Sequence, residues 1–196
     1  MNAKHLGFVF IYLVLAGTAQ AASANMLIYI HPQEYTHSVK LWQFYSDHWF
    51  EQGPLVEPVV RSALAAEYGE VDMCKAGSEG RSLVWIKPRM YYNPHMTTFY
   101  GEITAMTYTS NGEPIASYVG EAQKIGFLDV YPRVSIVAAY KMAMEDLIRK
   151  MRKDQKLKDV TSEGVINTDA GGACAIITSL PAPKPMDLDY IIKPVN

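Results

Sequence analysis

His31, His37, His48 and Glu51 are the residues in this chain whose types and spacing could do metal chemistry. Imidazole is the commonest protein ligand for divalent metals, and a carboxylate adds a hard oxygen donor. His48 and Glu51 stand three apart, which on a helix places both on one face. His31 and His37 lie near the end of an expected strand. These four residues would suit a small secreted metal-dependent enzyme, the alternative to the binding role argued below. No G-x-S-x-G, P-loop, G-x-G-x-x-G, H-E-x-x-H or EF-hand pattern occurs, so neither a catalytic residue nor a cofactor is expected. Ser78 between Gly77 and Gly80 is spaced for a turn, and Asp129 and Asp169 sit in turn-like settings.

Cys74 and Cys174 are the only two cysteines, and no C-x-x-C spacing suggests redox or metal work. The expectation is one intramolecular disulfide, bringing residues 71–74 close to residues 173–178. Closing so long a loop stabilises by roughly 4–5 kcal/mol on the chain-entropy view.

The most unusual feature is aromatic. Tyr35, Trp42, Phe44, Tyr45, Trp49 and Phe50 crowd into residues 35–50, and Tyr91 and Tyr92, with Phe99 and Tyr100, form a second cluster. Large rigid rings are enriched at the cores of protein interfaces. These eight residues, Tyr35 to Phe50 with Tyr91 and Tyr92, are therefore read as a partner-binding surface. Aromatic rings also serve as core material and as platforms that stack on sugars or other ligands.

Composition narrows the rest. With 49% hydrophobic and 19% charged residues, the chain falls outside disordered and collagenous classes. A net charge of −2 offers no footprint for nucleic acid. Residues 1–24 read as a signal peptide. Lys4 precedes an apolar run at residues 6–15 that is too short to span a bilayer, and cleavage is expected after Ala21 or Ala24. No cysteine lies at either site to carry a lipid. No membrane span is expected after cleavage, and the localisation is periplasmic or secreted.

Residues 25–180 are expected to form a single domain, followed by a Pro-rich tail at 181–196 whose DLDYII stretch could add a strand to a neighbouring sheet. Strands are expected at residues 26–31, 70–74, 82–87 (ended by Pro88) and 173–179. The aromatic segment reads as a loop or short helix. Residues 56–68 form a helix, with Pro58 tolerated only in its first turn. Residues 96–109 and 113–123 make a long hairpin around Ser110, Asn111 and Gly112, one face packed and one wet or partnered. Residues 134–153, with Val137, Tyr140, Met144, Leu147, Ile148 and Met151 at three- and four-residue intervals, give the clearest helix. Together these predict an α+β fold: a mostly antiparallel sheet with a long hairpin, packed on two main helices.

In outline this pattern resembles the N-terminal domain of TolB and the periplasmic domain of CsgG, and is similar to small envelope proteins of the YajG type. The elements that carry the resemblance are the helix at 56–69 running straight into the strand at 71–74, the hairpin at 110–112, and the late helix at 135–151. The resemblance implies non-enzymatic work at the bacterial cell envelope, with an envelope protein partner or by self-association. A third possibility is a soluble carrier holding a small or lipidic ligand between sheet and helices.

Overall fold

Residues 24–166 and 172–178 are described by the structure, a computed structural model. The expected signal peptide, save its last residue, and the tail at 181–196 lie outside the described residues. Strand β1 (Ala24–Ile30) is buried on both faces, as the apolar run from Met26 to Ile30 requires. It pairs in parallel with β4 (Val71–Met73) on one side and β5 (Gly80–Asn93) on the other. From β5 the sheet continues antiparallel through β6 (Thr98–Thr109) to β7 (Pro114–Ile125), in the order β4-β1-β5-β6-β7. Between β1 and β4 the chain forms α1 (Gln33–Thr36), a separate hairpin of β2 (Ser38–Trp42) and β3 (Asp47–Glu51), and α2 (Gly53–Tyr68). Among the described residues, three helices follow β7: α3 (Pro132–Met151), α4 (Gln155–Glu163) and α5 (Gly172–Thr178). The fold is α+β. Its long meander is antiparallel as expected, and β1 adds two parallel pairings at the other side of the sheet.

One face of the sheet carries the main core. Met26, Ile28, Val84, Ile86, Phe99 and Ile103 meet Val56, Val60 and Leu64 of α2 and Ile136, Tyr140, Met144 and Leu147 of α3, all essentially without solvent access. At about 25 cal/mol per Å² of apolar area, this layer supplies most of the folding drive. Glycines let α3 lie close: a Cβ on Gly101 would stand 3.2 Å from the Ala139 backbone, and one on Gly120 would stand 2.7 Å from Leu147 Cβ.

The opposite face is divided along β5. Leu27, Tyr29, Leu83 and Trp85 are roofed by Cys174 and Ile177 of α5, and the Cys74–Cys174 disulfide, Cα to Cα 5.7 Å, fastens that roof to the residue after β4. Further along, the same face carries Arg89, Tyr91 and Asn93 beside Tyr100 and Glu102 of β6.

Four local expectations are corrected. Residues 38–51 are two short strands, so the relevant period is two: Val39, Leu41, His48 and Phe50 face inward, while Lys40, Trp42, Asp47 and Trp49 face outward. Pro88 does not end its strand. Pairing of β5 with β1 stops at Ile86, so beyond it one side of β5 needs no N–H donor, and the Pro88 carbonyl on that side is reached by Gln52 Nε2 at 3.3 Å. Pro58 lies in the second turn of α2, where it removes one i−4 bond. Residues 172–178 are helical, with Cys174 and Ile177 three apart on the buried side. A short apolar run does not distinguish strand from helix by periodicity.

Candidate functional site

The far end of the β5–β6 hairpin lies against Gly126, ahead of α3, and the β2–β3 hairpin packs beside it. The local sequence explains the second hairpin: Gln43 N–H donates to the Ser46 carbonyl at 3.1 Å to close the turn, and Leu41 and Phe50 anchor its inner face in the main core. Its outer face is held by Lys40, whose ammonium lies 2.8 Å from Asp47 and 5.6 Å from the Trp49 ring centre. At the turn, Phe44 packs edge-on against Trp42 at 5.3 Å and against His95 of the β5–β6 loop at 4.9 Å. That chain of rings joins the two hairpins.

Between them lies an open groove of about 1060 Å³. Lys40 and Trp42 form one wall; its floor is built from cross-strand rows on the face of the sheet turned away from α3. One row is Tyr91, Tyr100 and Gln123; the next is Arg89, Glu102 and Glu121. Tyr91 and Tyr100 stack with centroids 4.4 Å apart and planes 9° apart. Desolvation by burial, with a contribution from Tyr100, raises the Tyr91 phenol above its ordinary range, so it stays protonated and able to donate. Arg89 pairs with Glu102 at 3.3 Å. The arrangement offers stacking surface, hydroxyl and amide hydrogen bonds, and charges of both signs: the chemistry of recognition.

Of the eight aromatics expected at a partner surface, five are exposed: Trp42, Phe44, Tyr45, Trp49 and Tyr91, with Tyr45 98% accessible. Three are structural. Phe50 is 7% exposed and Tyr92 6%, both in the core, and the Tyr92 hydroxyl donates to the Gly126 carbonyl. Tyr35 covers Gly53, where a Cβ would meet its ring at 2.8 Å, and donates to Glu57 at 2.6 Å. Alternation or tertiary packing turns these three inward, and Tyr92 still lines the groove from beneath. Arg89, Glu102, Glu121 and Gln123 escaped sequence reading; only counting the register outward from the Asn111-Gly112 turn brings them into rows.

The metal set does not converge. In a strand, positions three apart point to opposite faces, so His48 turns inward and stacks on Phe50 while Glu51 turns outward and accepts from Ser38 Oγ at 2.9 Å. His31 Nδ1 accepts from the Gln33 N–H, and His37 caps α1. Among the described residues, no three His, Cys, Asp or Glu side chains are grouped to hold a metal ion. Ser78 closes the turn with Lys75, accepting at Oγ from its N–H at 3.0 Å. No described helix is long and apolar enough to cross a membrane.

No known family model matches the chain, and no curated protein does. Among solved structures, a protein from Caulobacter crescentus provisionally described as a lipoprotein shares 12% identity over 57% of this chain and 83% of its own, with a TM-score of 0.32. So loose an overlap bears neither on the fold nor on the role of this chain.

Proposed function

We propose that this chain is an exported, non-enzymatic binding or assembly component of the bacterial cell envelope that engages a protein partner, or a second copy of itself, through the groove between its two hairpins. The observation that carries this reading is the group of exposed rings, Trp42, Phe44, Tyr45, Trp49 and Tyr91, on and around one groove. Exposed aromatic groups of that kind mark interaction sites. The disulfide supports residence in an oxidising compartment, periplasmic or secreted. The pattern-level likeness to TolB-type and CsgG-type envelope domains fits the same role.

The test pairs native mass spectrometry of protein purified from its own envelope fraction with a Trp42→Ala/Tyr91→Ala variant. The wild type is expected in a defined, stoichiometric complex that the variant loses while its circular dichroism and melting temperature hold. A variant that folds and keeps the complex would exclude the groove as the binding surface.

A further inference from the structure

The charges around the groove do not balance. Lys40 is paired with Asp47, and Arg89 with Glu102. Glu121 lies directly opposite Glu102 across the β6–β7 pair, and its exposed carboxylate has no ion-pair partner among the described residues. A further acid, Asp146, accepts from the Glu121 N–H and is itself neutralised by Arg149 and Lys150. Like charges directly opposite in a sheet are destabilising. The row Arg89, Glu102, Glu121 thus runs plus, minus, minus, next to two stacked tyrosines whose ring faces attract cations.

Building on the proposed function, we propose that the groove recognises a basic side chain, arginine or lysine, on an extended segment of a protein partner, seated between Glu102 and Glu121 and against the Tyr91–Tyr100 pair. A guanidinium there completes the charge row, makes charge-assisted bonds to a carboxylate and lies flat on a ring. A protein segment is the occupant because the exposed rings continue well past the charged row, through Trp42 and Phe44 to Tyr45 and Trp49, farther than one small cation extends.

Acetylated, amidated tri-arginine, tri-citrulline and tri-glutamate peptides are the probes, followed by NMR shifts of the Trp42 indole and the Tyr100 and Glu121 amides in the full mature protein. Tri-arginine is expected to move these signals, and tri-citrulline, of nearly the same shape without charge, to bind about tenfold more weakly or less. Glu121→Gln, a surface change checked by its melting curve, is expected to lose a similar factor for tri-arginine alone. Equal affinity for arginine and citrulline, no response to tri-arginine up to about 10 mM, or no effect of Glu121→Gln each overturns the inference. If Glu121→Gln keeps the native complex while Trp42→Ala/Tyr91→Ala loses it, this inference fails and the proposed function stands. If neither loses the complex, both fail.

Discussion

Tyr140 Oη donates to Gln52 Oε1 at 2.7 Å, tying the middle of α3 to the residue that precedes α2 across 88 positions of sequence. Gln52 is itself buried and passes the connection on, donating from Nε2 to Glu34 at 2.9 Å and to the Pro88 carbonyl. One small network thereby fixes two helices, α1 and the passage of β5 through Pro88. Replacing Tyr140 with Phe leaves the Gln52 oxygen unpaired in the core, which costs about 1–3 kcal/mol. Urea unfolding should show the unfolding free energy falling by that amount, through a lower midpoint at constant slope, with peptide or partner binding at the groove unchanged.

Glu34 makes this network pH-dependent. Its burial holds the carboxyl above the ordinary 4.5, against the opposing pull of the Gln52 hydrogen bond and His37. The native state therefore keeps its proton to higher pH than the unfolded chain does. Glu34's contribution to stability is intact at or below pH 4.5 and is lost as pH rises through the folded value. Asp146, Asp154 and Glu67 act in the other direction. Hydrogen bonds from Lys150, Tyr118 and Arg152 respectively hold them low, so their stabilisation is present above the ordinary values and is lost in acid. Thermal melts of Glu34→Gln against wild type from pH 4 to 8 should give a difference that favours the variant increasingly as pH rises. A pH-independent difference would show that folding does not raise the Glu34 pKa.

The layout around Tyr140 was largely legible in the sequence. Tyr140, Met144, Leu147 and Met151 recur at helical intervals and are buried, and Asn111-Gly112 marks the hairpin, with Gly112 at φ +80°. What misled was short and aromatic. Val39 and Leu41 alternate with Lys40 and Trp42 over a strand of five residues, too few to overrule a loose helical spacing when rings lie on both faces. Pro88 looked like a stop because nothing local says that β1 ends two residues earlier in register. The groove was legible only in part, since its rows draw on three strands and a hairpin some fifty residues upstream, and Glu102 meets Glu121 through register alone.

Cutting the covalent tie should release α5. With Cys174→Ser the unfolded chain loses a loop constraint of 100 residues, which lowers stability by roughly 4–5 kcal/mol on the chain-entropy account. Leu27, Leu83 and Trp85 then lose a fastened roof. Increased binding of a hydrophobic dye with the sheet's circular dichroism intact is expected, and unchanged dye binding would show that Ile177 alone holds the helix down.

The outer side of β7 is guarded by charge. Lys150 Nζ donates to the Val119 carbonyl at 2.6 Å, the Glu121 N–H donates to Asp146 at 3.2 Å, and the two side chains pair at 2.7 Å. An edge strand of 12 residues otherwise presents a template for another chain. Asp146→Ala/Lys150→Ala should sediment as larger, concentration-dependent species than wild type. An unaltered profile would mean that the pair does not protect the edge.

The disulfide also dictates an order of events. Cys74 leaves any ribosome or translocation pore 100 positions before Cys174, and by then every residue of the five-stranded sheet and of α3 has already emerged. The bond is in no position to guide the nascent chain. It acts as a closing seal, one that can be set only after α5 has been delivered.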